Sequence, residues 1–593
     1  MSHHEKLDAH AANIESLLRE KIFKIPSYQR AYAWQQENWE DFWNDLTDGL
    51  ETNSIHYWGT ITLRNTKEEP IEDENTALSY QTFEVVDGQQ RLTTLFLLLL
   101  AISRKGTPAL FNSFIKTGGI YRIEAGNLNN NFLKNLFDGN PQSEEDLSIR
   151  SNKLLLGALE FFEERIEAYS GNLESLTKYL KRTTFALEFT FQDESIAIRA
   201  FESLNDRGRP LSLLEKTKSF LMFCSFRYLD SDSTIRETIN DCFGEAFADY
   251  DLAIDAATRA NVDFATNPRY RFNEDELLRF YYHHCAYSFY KDLELVSPGY
   301  DYSISTQAVF DQLVKQVSKS FYTEPKKLTR FTLKFCKGLR DYFKTFKELM
   351  ISAESNGAER RLLTFLGISA DVYPLLIGLK QEEICSDNLL KLIETLDIRV
   401  YKLRGTGPRA LLYRHVISKI AYKRDSESIE NGIKKVITQY SPDPSIPGYL
   451  QNIRIHKNPS FKFILWNHES SLALENKKEF DEWDYDLYSR VDIEHIFASE
   501  VTLGFPSHGF KDAPDFDLNK DRPGNLALLE RKVNRRVSNK SVLEKASSYQ
   551  TQAEIPSMRS LGHQIAEKGF TKEATHRREK EISDFCIKHW PEP

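Results

Sequence analysis

One stretch of the sequence, residues 82–102, constrains the fold more than any other. It begins with Thr82–Val86 (TFEVV), whose β-branched and aromatic residues are typical of a strand. Asp87 and Gly88 follow at once, and the apolar run Leu92–Ile102 then predicts a buried helix that is too short to cross a membrane. The chain therefore changes from strand to helix across a single glycine turn.

The turn between that strand and that helix has the chemistry of an anion site. Backbone N–H groups are free at a helix N-terminus and the helix dipole is positive there, so a phosphate fits beside Gly88. The motif continues with Gln89, Gln90 and Arg91, and the guanidinium of Arg91 can add a bidentate contact. The alternative is an ordinary turn, because many Asp-Gly turns bind no ligand.

Length and composition limit the protein class. A chain of 593 residues is too long for one ordinary core, and roughly two to four domains are expected. A charged fraction of 28% with 12% aromatic residues is typical of well-packed globular domains and argues against disorder. The net charge of −10 argues against a uniformly basic surface, although local basic patches can still contact nucleic acid.

The cysteines and the N-terminus indicate the compartment. Six cysteines are scattered without any CxxC pair, which argues against a disulfide framework and against a cysteine zinc site. The first ten residues, MSHHEKLDAH, lack the basic and apolar pattern of a signal peptide. We therefore expect a cytoplasmic protein without a membrane partner.

The pattern along the chain predicts a mostly helical α+β protein with three segments. Residues 1–230 mix strand and helix patterns, residues 231–440 are mostly helical, and residues 441–593 form the last domain. The proline-rich stretch 441–448 (SPDPSIPG) is the predicted linker before that domain. Four amphipathic stretches predict helices in the middle segment: Leu277–Tyr290, Leu328–Met350, Arg360–Leu379 and Asn388–Leu403.

Local patterns give further expectations in the first segment. They predict a short amphipathic helix over residues 8–20, an aromatic strand at Ile25–Trp34 (IPSYQRAYAW), a helix at Gln35–Leu50, a strand at Thr184–Phe191 and a helix at Ser195–Ser203. Ser212 and Glu215 form a capping-box pattern that predicts a helix through Phe226. The polar loop with Asn205, Asp206 and Arg207 can meet a ligand, or it can be an ordinary connection between helices.

The most chemically informative stretch is Asp492–Lys540, near the C-terminus. Ile493–Ile496 and Leu526–Leu529 predict a hairpin with a long loop, followed by a helix that starts around Lys532. Side chains alternate along a strand, so Asp492 and Glu494 are expected on one face and His495 on the other.

These residue types suit the hydrolysis of a phosphodiester. Two carboxylates can hold a hard cation such as Mg²⁺, and His495 can act as general base on a water molecule. The amide oxygen of Asn534 can complete the metal shell without added negative charge. The basic residues of the predicted helix suit contact with a nucleic-acid backbone, namely Arg531, Lys532, Arg535, Arg536 and Lys540. A histidine with neighbouring acids, as in D-x-E-H, is usually a surface residue or a satisfied core residue. The joint pattern with Asn525, Asn534 and the basic cluster is far more specific.

The Asp492–Lys540 stretch resembles the ββα-metal nucleases of the His-Asn-His (HNH) type, in a version without structural zinc cysteines. The resemblance implies that Glu494 and Asn534 are metal ligands with Asp492 in support. It further implies that His495 is the general base, that Asn525 orients it, and that Mg²⁺ or Mn²⁺ is the cofactor.

Three upstream motifs, IPSYQRAYAW, VVDGQQRLTTL and FESLNDRGRPLSLLEKTKSFL, resemble the N-terminal domain of GmrS/GmrD-type modification-dependent (type IV) restriction enzymes. In that family a fold related to ParB and sulfiredoxin binds and hydrolyses nucleoside triphosphate with Mg²⁺. The resemblance implies that Gly88 and Arg91 contact the phosphates and that Asp87 lies at the hydrolysed bond or its Mg²⁺. The other implied neighbours of the nucleotide are Tyr28, Gln29, Arg30, Gln89, Gln90 and Asn205.

Taken together, the resemblance implies a phage-defence endonuclease. Its substrate would be double-stranded DNA with modified cytosines of the hydroxymethyl or glucosyl type, and nucleoside triphosphate would regulate cleavage. A homodimer is a further candidate assembly, although no residue indicates an oligomeric state. Two alternatives stay open: a nickase of the same family that senses phosphorothioate DNA, and a nucleotide-gated DNA-binding regulator without nuclease activity.

Overall fold

A computed structural model describes residues 8–26, 29, 31–73, 78–125, 129–143, 146–191, 212–229, 233–266, 273–292, 302–423, 425–452, 458–498 and 504–593. The chain divides into two compact units. The first comprises Met1–Ala256, Phe272–Tyr282 and Ile304–Glu348, and the second comprises Ala257–Arg271, His283–Ser303 and Leu349–Pro593. The three segments expected from the sequence, with boundaries near residues 230 and 440, stay a prediction.

The first unit contains a mixed sheet of seven strands. Its members are β1 (Asp8–Asn13), β2 (Lys21–Ile25), β3 (His56–Asn65), β4 (Ile71–Glu72), β5 (Ser79–Asp87), β8 (Ile123–Ala125) and β9 (Thr184–Phe191), while β6 (Lys116–Thr117) and β7 (Ile120–Tyr121) form a separate pair. The order in the sheet is β1-β9-β3-β5-β2-β8, with β4 on β5. Strand β5 pairs in parallel with β2 and antiparallel with β3, so it lies inside the sheet.

The predicted strand-turn-helix is present, and it forms the centre of the core. Strand β5 ends at Asp87, Gly88 has φ 93°, and the following helix covers Gln89–Lys105. Every residue from Leu92 to Ile102 is buried. The φ of Gly88 lies in the left-handed region that L side chains rarely adopt, so glycine is favoured at this position.

Two predictions for the start of the chain need correction. The helix expected over residues 8–20 is limited to Ile14–Leu18, because residues Asp8–Asn13 form strand β1, which pairs with β9 along its length. The strand expected at Ile25–Trp34 ends at its first residue, and none of the described residues after Ile25 continues it. Pro26 has no backbone N–H and therefore cannot extend the ladder.

The helices of the first unit include α1 (Gln36–Glu51), α2 (Gln89–Lys105) and α3 (Leu213–Tyr228). Further helices are Asn130–Asp138, Arg150–Ala168, Leu173–Arg182, Val309–Gln316 and Val317–Ser320. The capping box of α3 is confirmed, since Ser212 and Glu215 exchange hydrogen bonds. The helix expected at Ser195–Ser203 lies outside the described residues.

The helical character of the middle segment is confirmed. Its longest helices are Ser233–Arg259, Glu274–Asp292 and Pro325–Ser352. The single helix expected at Arg360–Leu379 is interrupted at Gly367, whose φ is 62°. The expected helix at Asn388–Leu403 continues from Asp387–Leu396 into a wider turn at Asp397–Leu403.

The second unit contains one hairpin among helices. The hairpin consists of β10 (Val491–His495) and β11 (Leu526–Glu530). The helices around it include α4 (Pro459–Glu475), α5 (Arg531–Val537), α6 (Val542–Gln552) and α7 (Lys572–His589). Other helices of this unit are Tyr373–Gln381, Ser426–Tyr440, Ile446–Asn452, Tyr485–Arg490, Ala513–Asp517 and Pro556–Lys568. Within the described residues, no helix is both long and apolar enough to cross a membrane.

Candidate functional site

The predicted hairpin and helix near the C-terminus are confirmed. Strand β10 pairs antiparallel with β11, with Glu494 opposite Ala527 and His495 opposite Leu526. Helix α5 starts at Arg531, directly after β11. The apolar residues of β11 are all buried, which fixes the register of the pair. The arrangement is therefore strand, long loop, strand and helix.

The imidazole of His495 is oriented by a carboxylate that sequence reasoning missed. His495 Nε2 lies 2.9 Å from Asp521 Oδ1, in the loop before β11. When Nε2–H donates to this carboxylate, the ring lone pair lies on Nδ1. Only the fold brings these residues together, since 26 positions separate them.

Asn525 forms hydrogen bonds with the backbone near His495 and near Asp521. Its side chain is fully buried. Asn525 Oδ1 accepts from the N–H of Phe497 at 2.7 Å, and Nδ2 donates to the carbonyls of Phe497 at 3.0 Å and Lys520 at 2.6 Å. Phe497 is two residues after His495, and Lys520 is next to Asp521. These bonds connect Asn525 to the backbone next to both members of the His495–Asp521 pair.

The C-terminal helix α7 packs on the same turn. Arg522 Nη2 donates to Glu579 Oε1 at 2.7 Å, and Arg578 Nε donates to the carbonyl of Gly524 at 3.0 Å. A Cβ at Gly524 would lie 1.8 Å from the carbonyl oxygen of Thr575, so only glycine fits there. Helix α7 therefore fixes the loop that contains Asp521.

Glu494 lies at the centre of a buried polar cluster. It is 4% exposed, and its Oε1 accepts from Lys545 Nζ at 2.6 Å and from the Tyr549 hydroxyl at 2.9 Å. Lys545 is fully buried and also donates to the carbonyl of His495 at 2.7 Å. Burial raises the pKa of Glu494 and lowers the pKa of Lys545, and their mutual attraction opposes both shifts. Sequence reasoning missed both donors, although their spacing places them on one face of α6.

Asp492 has a different environment from Glu494. Its Oδ2 accepts from Arg531 Nε at 3.1 Å, and both side chains are about half exposed. A second cation, Lys462 of α4, lies over the ring of Tyr488 with Nζ 4.5 Å from the centroid. Burial lowers the pKa of Lys462 to about 8, and Asp492 acts in the opposite direction. Each predicted carboxylate ligand thus has its own basic neighbours.

The residue types of the predicted ligand set are those that a hard divalent cation prefers, although Glu494 is ion-paired with Lys545. Both hydrogen bonds to Glu494 fall on Oε1, so neither engages Oε2. Asn534 is half buried on α5, and its amide oxygen is a neutral donor of the kind that such ions accept. Within the described chain there is no group of three or more His, Cys, Asp and Glu side chains that could hold a metal, and the predicted set has only two carboxylates. The ligand assignment stays a prediction.

Helix α5 presents the predicted basic surface. Arg531, Lys532, Arg535 and Arg536 are exposed, while Val533 and Val537 are buried. Lys540 is also exposed, just after the helix. Arg536 Nη1 donates to Gln552 Oε1 at 3.2 Å. This surface suits contact with phosphates.

The N-terminal turn places Asp87 and Arg91 side by side. Arg91 Nη2 is 3.8 Å from Asp87 Oδ2, and Nη1 donates to the carbonyl of Thr60 at 2.9 Å. Burial raises the pKa of Asp87, against the effects of Arg91 and the Gly88 N–H. Gly59 has φ 117°, and a Cβ there would lie 2.2 Å from Arg91 Nη1. The chain thus leaves room for this guanidinium.

The glutamines of the same motifs bind backbone. Gln90 Oε1 accepts from the N–H of Ala33 at 2.8 Å, and its Nε2 donates to the carbonyl of Ala31 at 3.2 Å. Gln29 Nε2 donates to the carbonyls of Val85 and Val86 at 2.6 and 3.0 Å. The two residues thereby attach the IPSYQRAYAW segment to β5 and α2. Gln89 is half buried, and Tyr28, Arg30, Asn205, Asp206 and Arg207 lie outside the described residues.

Comparison with known proteins adds two matches. The model of the GmrSD restriction endonuclease N-terminal domain matches residues 14–222, which include the Asp87–Arg91 turn. The model of the GmrSD restriction endonuclease C-terminal domain matches residues 449–585, which include the hairpin. Together they match more than half of the chain. No curated protein matches it.

Proposed function

Because the chain belongs to the GmrSD restriction endonuclease family, we propose that it is a metal-dependent endonuclease of phage DNA with modified cytosines. The observation that carries the proposal is the pair of His495 and Asp521 at the end of β10, the strand that also contains the buried Glu494. A histidine oriented by a carboxylate is suited to taking a proton from a water molecule.

The residues of the hairpin have separate roles in the proposed reaction. His495 Nδ1 accepts a proton from a water molecule, and the water oxygen attacks the phosphorus. Asp521 stabilises the imidazolium that results. Arg535 and Lys532 on α5 hold the DNA backbone. A divalent cation at Glu494 and Asn534, with Asp492 in support, would stabilise the charge on the phosphoryl oxygens and on the leaving oxygen. The product would carry a 5′-phosphate.

The N-terminal domain is the proposed regulator. Arg91 and the N–H groups after Gly88 would bind the phosphates of a nucleoside triphosphate, and Asp87 would lie at its Mg²⁺ or at the bond that is hydrolysed. The support is that Arg91 is held at the turn by Thr60 and Asp87. In this proposal, nucleotide binding by the N-terminal domain would control DNA cleavage by the C-terminal domain.

A cleavage panel tests the function. The purified full chain is incubated with hydroxymethylated, glucosylated, phosphorothioate and unmodified DNA, with Mg²⁺ or Mn²⁺, with and without each nucleoside triphosphate. We expect cleavage of cytosine-modified DNA that stops when the cation is chelated. Cleavage of phosphorothioate DNA alone would favour the nickase alternative. Binding without cleavage of any substrate would favour the regulator.

A further inference from the structure

A pocket beside the Asp87–Arg91 turn has no role in the proposed cleavage reaction. It has a volume of about 170 Å³ and lies between helix α1 and the start of strand β3. Aromatic side chains make up much of its wall, among them Trp34, Tyr57 and Trp58. Tyr57 is 61% exposed at the rim, whereas Trp58 is buried. The space suits one flat ring system beside these aromatic side chains.

The charges that line the pocket come from different elements. Arg91 belongs to α2, whereas Asp41 and Asp45 belong to α1 and lie one helical turn apart. His56 also lines the pocket, and burial lowers its pKa despite the nearby Asp45. Among the described residues that line the pocket, Arg91 is therefore the permanent cation. A ligand with an anionic end and a hydrogen-bond-donating end matches this distribution.

Trp58 supplies a second, independent observation. It is 6% exposed, and its indole N–H is buried without an acceptor among the described residues. Buried donors in folded proteins nearly always have a partner. Trp58 also lines the pocket, so a ligand acceptor that reached the indole N–H would satisfy this donor.

We propose that this pocket holds the nucleoside end of the nucleotide whose phosphates lie at the Asp87–Arg91 turn. The proposal rests on the nucleotide site of the proposed function and makes it more specific. Arg91 belongs to both the turn and the pocket, so one ligand can reach from one to the other. The base stacks on the aromatic faces, and the carboxylates accept from its amino group or from the ribose hydroxyls. The same carboxylates repel phosphates, which sets the direction of the ligand.

Binding measurements with inorganic triphosphate separate the two ends. We compare ATP, GTP, CTP and UTP with inorganic triphosphate, which has no nucleoside, by titration calorimetry on the full chain with Mg²⁺. The wild type should bind at least one nucleoside triphosphate about tenfold or more tighter than inorganic triphosphate, since stacking alone is of that size. Asp45→Asn and Tyr57→Ala should each remove most of that difference. Arg91→Ala should weaken both ligands.

Asp48→Asn is the matched control, because Asp48 is exposed on the same helix and does not line the pocket. It should leave all affinities at the wild-type value, and melting curves check that each variant is folded. If nucleoside triphosphate binds but neither pocket variant changes its affinity, the pocket assignment is wrong and the phosphate site stands. If neither ligand binds, the nucleotide site of the proposed function is wrong as well.

Discussion

The two candidate sites differ in how their polar residues are held. At the C-terminal hairpin each acid or base contacts a charged partner directly, as Glu494 contacts Lys545 and His495 contacts Asp521. At the N-terminal turn the glutamines bind main chain, and Arg91 and Asp87 are 3.8 Å apart beside a pocket. Charge pairs hold the side chains of the first site, whereas hydrogen bonds to the backbone hold the glutamines of the second. The contrast predicts that charge removal damages the first site most.

The largest effect is expected for Lys545→Met. This change leaves Glu494 buried without its cation, which should destabilise the second unit by about 3–5 kcal/mol. It should also abolish cleavage. Chemical denaturation of the full chain measures the first effect, with the exposed Lys568→Met as the control. A loss below about 1 kcal/mol would show that the buried pair does not hold the hairpin.

The next effect concerns the orientation of His495. Asp521→Asn should lower the single-turnover rate of DNA cleavage by about 10²-fold, because the imidazolium loses its carboxylate and the tautomer is no longer fixed. Affinity for DNA should change little. Asp517→Asn is the control. Asp517 lies four residues before Asp521, is exposed and pairs with Lys520. Equal rates for the two variants would remove Asp521 from the mechanism.

At the N-terminal turn, Gln90→Ala tests whether this side chain stabilises the fold and not the bound ligand. It removes two hydrogen bonds to the segment Ala31–Ala33 and should cost about 1–3 kcal/mol in the stability of the first unit. Arg91→Ala should have the opposite profile, with weaker nucleotide binding and a smaller loss of stability. Thermal unfolding and nucleotide titration of both variants give the comparison. If both variants lost stability and nucleotide affinity to the same degree, the proposed division between packing and ligand-binding positions would be wrong.

The smallest effect is expected on helix α5. Lys532→Ala should weaken DNA binding to a similar degree for every sequence and lower the slope of log affinity against log salt by about one. Binding at several salt concentrations measures this. Lys568→Ala, on another exposed helix, should leave the slope unchanged. An unaltered slope for Lys532→Ala would place DNA on another surface.

The sequence could predict the parts of the fold that neighbouring residues determine better than the parts that depend on distant residues. The strand, Gly88 and buried helix α2 follow from neighbouring residues, and so does the capping box at Ser212. Residues 8–13 form a strand only because β9, far along the chain, pairs with them. Local periodicity contains no information about such a partner.

The same limit applies to the candidate site. His495 and Glu494 stand out because their residue types and spacing carry the chemistry. Asp521 and Lys545 contact them from positions 26 and 51 residues away, so only the fold identifies them. The one local signal was the spacing of Lys545 and Tyr549 by four residues on α6, which places both on one helix face.

The most direct test of the central claim, that the hairpin is a metal-dependent nuclease site, is single-turnover cleavage by His495→Ala. The substrate is cytosine-modified DNA with saturating Mn²⁺, and His563→Ala, an exposed histidine of the second unit, is the matched control. We predict that the control cleaves at the wild-type rate and that His495→Ala is slower by at least about 10²-fold while still binding DNA. Cleavage by His495→Ala at the wild-type rate would contradict the account.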